Sequence, residues 1–219
     1  MPASEAKTEA QTEAKAEDAK AEDTKAETEA AKDEAASGEK HLVGVAMPTK
    51  DLQRWNQDGS NMKAELEAAG YEVDLQYASN DVQTQVSQVE NMISNGCELL
   101  VIASIDGSSL GEPLGQAKEA GIPVISYDRL LMNSDAVTYY ATFDNYMVGQ
   151  KQGEYLVEAL GLEENDGPFN IEMFTGDPAD NNCNFFFGGA MDVLQPYIDS
   201  GKLVVKSGQT TFEQVATAN

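Results

Sequence analysis

The side chains of this chain that could recognise or transform a small molecule fall in three short clusters. The chain has only two arginines and one tryptophan. Arg54 and Trp55 are adjacent, with Lys50 just before them; Asp128 and Arg129 are adjacent; and residues 180–182 read Asp-Asn-Asn. Arginine offers a fork of donors, aspartate offers acceptors, and asparagine offers both. Together with an aromatic ring for C–H groups to stack on, this set favours a neutral polyol such as a sugar.

Other chemistries lack their main ingredients. Neither the GxGxxG nor the GxxxxGK[ST] phosphate loop occurs, which argues against a nucleotide. A single histidine, His41, leaves no Ser-His-Asp or Cys-His arrangement and no His-rich metal site. Cys97 and Cys183 have no CxxC spacing, so two free thiols are favoured. We therefore expect no cofactor and no metal.

Each cluster also has a purely structural interpretation. Asp128 and Arg129 could form a local salt bridge at a strand end, and Trp55 could pack at the start of a helix. The Asp-Asn-Asn run at 180–182 could cap the helix that follows, because Asp and Asn are favoured N-caps. The surrounding DPADNN run lacks the alternating oxygen ligands of an EF-hand loop, which argues against calcium.

The charge of the chain excludes whole classes of partner. Its 219 residues carry 14 Lys and Arg against 38 Asp and Glu, a net charge of −24. Nucleic acid and anionic membrane surfaces need clustered cations, so both are excluded. Residues 1–40 hold 12 alanines, 12 acidic residues and six lysines, with no Val, Leu, Ile or aromatic residue. This segment is predicted to be a disordered acidic Ala/Glu/Lys-rich tether.

From residue 41 onward, short apolar runs alternate with amphipathic stretches, and 41% of the whole chain is hydrophobic, enough for a core. The predicted strands are Leu42–Met47, Tyr71–Tyr77, Glu98–Ala103, Ile122–Ser126, Val137–Thr142, Phe169–Phe174 and Leu203–Lys206. The predicted helices are Gln57–Ala69, Val82–Ser94, Leu110–Ala120, Tyr146–Leu160 and Asn184–Ile198. Such alternation predicts a doubly wound α/β fold with parallel strands. No apolar stretch is long enough to insert into a membrane.

The α/β pattern changes between the fourth and fifth strands. Residues 127–136 are too few for a crossover helix, and a second strand–helix series starts after residue 143. We therefore expect an N-terminal lobe over residues 41–143 and a partial C-terminal lobe over residues 144–219, cut short by truncation. Ligands of open parallel sheets bind at the carboxyl ends of the strands, so the three polar clusters are expected on one rim.

Eight runs of the chain resemble the xylose- and multiple-sugar-binding members of the periplasmic sugar-binding proteins. The resemblance spans about residues 42–215, and the runs occur in order: GVAMPTKDLQRW, SQVENMISNG, LVIASIDG, YDRL, YYATFDN, GPFNIEMF, DNN and LQPYIDSGKLVVKSGQ.

This resemblance implies two Rossmann-like lobes of the periplasmic binding protein type I fold, joined by a hinge near residues 142–144. It implies capture of a monosaccharide, an aldose such as xylose, arabinose, galactose or glucose, and delivery to a membrane ABC permease. It also implies an extracytoplasmic lipoprotein, tethered through its N-terminal segment, that is not an enzyme. Carried over residue by residue, it assigns ligand contacts to Arg54, Trp55, Asp128, Arg129, Asp180 and Asn182, with Lys50 as a further polar contact.

Two other functions stay open at this point. The closed sugar complex could dock on a sensor kinase instead of a permease, which no sequence feature separates. Asp128 and Asp180 could serve as acid and base of a sugar-modifying enzyme. A repressor would need a basic DNA-binding segment before the core, and the net charge of −6 on residues 1–40 argues against it.

Overall fold

The computed structural model describes residues 41–216. The predicted tether at residues 1–40 lies outside the described residues. The strands are β1 (Leu42–Met47), β2 (Glu72–Tyr77), β3 (Leu99–Ile102), β4 (Val124–Tyr127), β5 (Val137–Ala141), β6 (Phe169–Ile171) and β7 (Leu203–Val205). The helices are α1 (Gln53–Ala68), α2 (Val82–Ser94), α3 (Gly111–Glu119), α4 (Asn145–Leu160), α5 (Asn182–Asp199) and α6 (Phe212–Val215).

The first five strands form one parallel sheet in the order β2-β1-β3-β4-β5. Helices cover both faces, so the central strands β1 and β3 carry no polar side chain, as expected for a parallel sheet. On β1, Val43, Val45 and Met47 face one core cluster and Ala46 faces the other, which is the period of two expected for a strand. The predicted doubly wound α/β fold is confirmed.

Strand β5 joins the sheet without a crossover helix. It pairs in parallel with β4, and a loop over residues 128–136 makes the connection. Ser126 of β4 holds that loop: its Oγ donates to the carbonyl of Arg129 at 2.7 Å and accepts from the amide of Leu131 at 2.9 Å. The buried hydroxyl thus replaces backbone partners that a regular element would supply.

Strands β6 and β7 form a second, two-stranded parallel sheet next to the helix pair α4–α5. Its core centres on Leu162, Leu194 and Leu203. The change from one sheet to the other falls at residues 142–144, where the lobe boundary was predicted. That residues 41–143 and 144–219 act as separate lobes stays a prediction.

Two helices begin two or more residues earlier than predicted, and α4 begins one residue earlier, at Asn145. Helix α1 starts at Gln53 instead of Gln57, because the side chain of Trp55 is buried in the core and anchors the first turn. Helix α5 starts at Asn182 instead of Asn184, because the carboxylate of Asp180 accepts the amide of Asn182 at 3.0 Å. Both shifts place predicted ligand residues on helices instead of in loops.

Two further differences lie in the second part of the chain. Strand β6 ends at Ile171, three residues before the predicted end, and Phe174 is 83% exposed. Helix α6 was not predicted, although Thr211 and Gln214 form a capping box at its start.

Cys97 and Cys183 are both buried and free. Over residues 41–216, no helix is long and apolar enough to cross a membrane.

Candidate functional site

A cavity of about 490 Å³ lies where the ends of β4 and β5 meet the starts of α1, α4 and α5. Cavities of this size are typical of small-molecule sites. Six of the seven residues predicted to contact ligand line it: Arg54, Trp55, Asp128, Arg129, Asp180 and Asn182. The remaining lining residues are Asp58, Tyr127, Phe143, Asn145, Val148 and Phe186.

Arg54 projects from the first turn of α1 and is held by two carboxylates. Its Nη2 lies 2.5 Å from Asp128 Oδ2, and its Nε lies 3.4 Å from Asp58 Oδ2, one helical turn away. Burial alone lowers the pKa of Arg54, but the hydrogen bond to Asp128 and the charges of both carboxylates outweigh it and raise the pKa. The guanidinium is therefore a fixed, permanently charged donor.

Trp55 is only 4% exposed and packs with Val43, Val45 and Met47 in the core beneath the cavity. The guanidinium carbons of both arginines lie over its ring, that of Arg54 at 4.5 Å from the ring centre and that of Arg129 at 5.4 Å. Trp55 thus packs at the start of a helix, as its structural interpretation held, and it also lines the cavity.

Asp128 adopts a left-handed backbone conformation, with φ at 61°. Its carbonyl oxygen accepts three hydrogen bonds: from Tyr140 Oη at 3.1 Å, Thr142 Oγ1 at 3.0 Å and Asn182 Nδ2 at 3.1 Å. Left-handed conformations are rare outside glycine, although Asp and Asn tolerate them best. Such backbone strain persists where surrounding contacts hold it in place, and it clusters at functional sites.

Arg129 points to the opposite side from Asp128, toward α5. Its Nε forms an ion pair with Asp180 Oδ2 at 3.0 Å, between side chains 23% and 17% exposed. Its Nη1 donates to the carbonyls of Ser104 at 3.1 Å and Ile105 at 3.3 Å, which follow β3. The alternative of a local Asp128–Arg129 salt bridge is not what forms, since each residue pairs with a distant partner.

Asp180 and Asn182 have structural and cavity roles together. Asp180 accepts the amide of Asn182 and so caps the start of α5, while its other oxygen pairs with Arg129. Asn182 Oδ1 accepts from Asn145 Nδ2 at 2.9 Å, and it lies 3.3 Å from Tyr140 Oη, whose one proton it shares with the Asp128 carbonyl. The capping interpretation of the run therefore holds for Asp180 alone, because the N-cap residue Asn181 makes no side-chain capping bond, and it does not exclude the cavity role.

Lys50 is the predicted contact that the structure does not bring to the cavity. Its side chain is exposed, and Nζ lies 4.9 Å from the centre of the Tyr77 ring. Tyr77 itself packs against the core and donates to the carbonyl of Asn56 at 3.3 Å. Lys50 thus lies on the neighbouring rim, and a contact between Lys50 and ligand stays a prediction.

Several lining residues were missed by sequence reasoning. Asp58 lies four positions after Arg54, a spacing that pairs side chains on a helix, but the predicted start at Gln57 hid it. Tyr127 donates to Asp58 Oδ2 at 3.2 Å, and burial together with that carboxylate raises the pKa of Tyr127. Phe143 follows β5 and is 74% exposed. A large apolar residue just after a strand, at the rim where ligands bind, was the sequence signal that could have identified it.

The arrangement presents fixed donors and acceptors around a small polar space. Each arginine is paired with a carboxylate, so the charges largely compensate and hydrogen-bonding groups remain for a neutral ligand. Among residues 41–216, no three His, Cys, Asp or Glu side chains are grouped so as to hold a metal ion. The chemistry that such a site supports is recognition of hydroxyl groups.

Comparison with known proteins decides the family. Residues 43–219 match the model of the periplasmic binding protein domain. The chain belongs to this family. The resemblance deduced from the eight sequence runs is thereby confirmed, and so is the type I fold it implied.

Two curated relatives of this periplasmic binding protein domain show the range of similarity. The multiple sugar-binding periplasmic protein SbpA of Azospirillum brasilense is 55% identical over 179 residues, 82% of this chain and 50% of that protein. The D-xylose-binding periplasmic protein of Escherichia coli is 37% identical over 167 residues, 76% of this chain and 48% of that protein. The chain spans about half the length of the curated relatives it matches.

A solved structure is more similar still. It is an ABC transporter solute binding protein from Clostridium phytofermentans, crystallised with bound β-D-glucose. The two are 77% identical with a TM-score of 0.79, and the match covers 81% of this chain and 55% of that one.

Proposed function

We propose that this chain contributes to an extracytoplasmic binding protein that captures an aldose and delivers it to an ABC importer. The observation that carries the proposal is the cavity itself, in which two arginine–carboxylate pairs converge over the only tryptophan of the chain. The glucose bound in the Clostridium phytofermentans relative supports the ligand class.

In this proposal, six residues contact the sugar, and each has a chemical reason to do so. Arg54 and Arg129 donate to hydroxyl oxygens, while Asp128 and Asp180 accept from hydroxyl protons. Trp55, whose ring lies under both guanidiniums, contacts the C–H groups of the sugar through the part of the indole that lines the cavity. The six proposed contacts are Arg54, Trp55, Asp128, Arg129, Asp180 and Asn182.

Capture works by closing residues 41–143 and 144–219 around the sugar. Arg129 and Asp180 come from opposite sides of the boundary at residue 143, so a sugar that touches both gains its full set of contacts only when the two parts approach. A ligand with more contacts in one state shifts the population toward that state. The closed complex is then what the membrane permease recognises.

An aldose titration by calorimetry tests the ligand class. Glucose, xylose, arabinose and galactose are titrated into the 219-residue chain and into a chimera that continues it with the remaining part of the Clostridium phytofermentans protein. Heat of binding with 1:1 stoichiometry and no product supports the proposal. If neither protein binds any of the four sugars, the ligand class is wrong; if product accumulates, the protein is an enzyme.

Arg129→Ala tests the assigned contact. Hydrogen bonds to a charged group contribute about 1.5–3 kcal/mol, so affinity should fall about 10- to 100-fold. Lys118→Ala is the matched control, because it removes one positive charge whose partner, Asp135, lies on the exposed surface. Equal affinities for the two variants would remove Arg129 from the ligand contacts.

The permease and the sensor kinase are separated in cells. Deleting the gene should abolish uptake of the bound sugar if a permease is the partner. Uptake that persists while sugar-induced transcription is lost would assign the protein to a sensor instead.

A further inference from the structure

Gln85 is a fully buried polar residue that the proposed function does not use. It lies in the second turn of α2, is 0% exposed, and is not among the residues that line the cavity. Its backbone amide continues the helix by donating to the carbonyl of Asp81 at 3.1 Å. A buried carboxamide must find partners for its own donor and acceptor, because leaving them unpaired in the core is costly.

Gln85 finds both partners in one short segment of backbone. Its Nε2 donates to the carbonyl of Ala103 at 2.9 Å, and its Oε1 accepts from the amide of Ile105 at 2.9 Å. These two groups flank Ser104, the second residue after β3. The side chain therefore clamps residues 103–105 at two points, where no regular element supplies backbone partners.

The clamped segment in turn holds Arg129. The carbonyls of Ser104 and Ile105 both accept from Arg129 Nη1, at 3.1 and 3.3 Å. The carbonyl of Ser104 and the amide of Ile105 belong to one peptide plane, so the bond from that amide to Gln85 fixes the direction of the Ser104 carbonyl that Arg129 contacts. Arg129 is thereby held with its guanidinium over Trp55 and its Nε within ion-pair distance of Asp180, 3.0 Å from Oδ2.

We propose that Gln85 is a positioning residue, which acts on the ligand through the 103–105 segment and Arg129 without touching the ligand. The chain of contacts runs from the core side of α2, across one loop, to a side chain of the cavity. The link to ligand rests on the proposed sugar site, whereas the link from Gln85 to Arg129 rests on the contacts alone.

The emission of Trp55 reports the position of Arg129 without any ligand. Trp55 is the only tryptophan of the chain, and a guanidinium over an indole ring changes the energy of the ring electrons. Gln85→Leu removes both bonds to the 103–105 segment at similar side-chain volume. We expect it to shift the emission of Trp55 in the same direction as Arg129→Ala does.

Gln88→Leu is the matched control. Gln88 lies on the same helix and donates to a carbonyl at the end of another strand, that of Tyr77, at 3.1 Å. This variant also loses a hydrogen bond of a glutamine to backbone, yet it leaves residues 103–105 alone. Its Trp55 emission should stay as in the parent chain, whatever it does to the melting temperature.

A double-mutant cycle separates positioning from general loss of stability. In the parent background Gln85→Leu should shift the emission, and in the Arg129→Ala background it should shift nothing further, because residues that act through one another are not additive. The proposal is overturned if Gln85→Leu has the same effect in both backgrounds, or none in either. If Gln85→Leu fails to fold, Gln85→Asn replaces it, since its shorter amide cannot reach both backbone groups.

Sugar binding is measured on the same variants. Gln85→Leu should weaken glucose binding by about ten-fold, with Gln88→Leu unchanged. If no variant binds any of the four aldoses, in the 219-residue chain or in the chimera, but the emission cycle holds, the sugar proposal fails while the positioning of Arg129 by Gln85 stands. If glucose binds equally to Gln85→Leu and Gln88→Leu, Gln85 does not act on the ligand.

Discussion

Two adjacent glycines of α5 should respond in opposite directions to the same substitution. A Cβ on Gly188 would meet only ring atoms of Tyr146, the nearest at 3.6 Å, which is ordinary contact. A Cβ on Gly189 would collide with the carbonyl oxygen of Tyr146 and lie 2.8 Å from the amide nitrogen of Gln150, both backbone atoms of α4. Backbone cannot rotate away as a side chain can, so α4 and α5 would have to separate.

The expected magnitudes follow from these contacts. Alanine is favoured over glycine inside a helix by about 0.5–1 kcal/mol, so Gly188→Ala should stabilise the chain by that amount. At Gly189 the same gain is opposed by overpacking, which costs about 1–3 kcal/mol, so the net effect is destabilising. At about 2–4 °C per kcal/mol, Gly188→Ala raises the melting temperature by about 1–4 °C, and Gly189→Ala, with a net cost of up to about 2.5 kcal/mol, lowers it by up to about 10 °C.

Thermal unfolding followed by far-UV circular dichroism measures both variants, and the cavity provides a second readout. Helices α4 and α5 begin at Asn145 and Asn182, whose side-chain carboxamides form a hydrogen bond with each other at the cavity. Separating the helices should therefore weaken glucose binding in Gly189→Ala and leave it unchanged in Gly188→Ala. A melting temperature of Gly189→Ala at or above that of Gly188→Ala would refute the close packing of the two helices.

Three further predictions concern single groups. Asp180→Asn keeps a cap for α5 but loses the charge facing Arg129, so it should destabilise less than Asp180→Ala, by about 1 kcal/mol of capping, in urea unfolding. Burial, and to a smaller extent the charge of Asp74, raises the pKa of the Cys97 thiol to about 11. At about pH 8, Cys97 should therefore resist alkylation by iodoacetamide in the folded chain and be alkylated in urea, as measured by mass spectrometry. The bonds from Thr84 lower the pKa of Asp81 below its ordinary value of 3.8. The stability that Asp81 contributes is therefore present above that ordinary value and lost as the pH falls through the lowered one, and the difference in melting temperature between the parent and Asp81→Ala should vanish there.

Much of the fold could be predicted because its signals are local. Helix α2 has the predicted bounds, Val82–Ser94, since Val82, Val86, Val89 and Ile93 recur on one face and Asn95-Gly96 ends it. The start of α1 could not be predicted in this way. Leu52 at its N-cap offers no capping side chain, and the turn is anchored instead by the burial of Trp55, a tertiary contact.

The membership of the site was predictable, but its pairing was not. Clusters at strand ends must share a rim in a parallel sheet, which brought six of the seven expected side chains to one cavity. The partners are Arg54 with Asp128 and Arg129 with Asp180. Asp128 and Arg129 are adjacent in sequence, yet each pairs with a different residue far along the chain. This pairing follows from the left-handed backbone conformation of Asp128, which the sequence pattern does not reveal.

That turn also explains why the cavity and the junction of the two sheets coincide. At Asp128 the positive φ directs the carbonyl away from the β4 ladder, so one oxygen receives Tyr140 from β5, Thr142 from the following segment and Asn182 from α5. The side chain of the same residue holds Arg54 on α1. Any movement of α5 relative to the five-stranded sheet must therefore change bonds to a residue that lines the cavity. A ligand that contacts Asp128 and Asn182 would bias that movement directly, with no relay through the core.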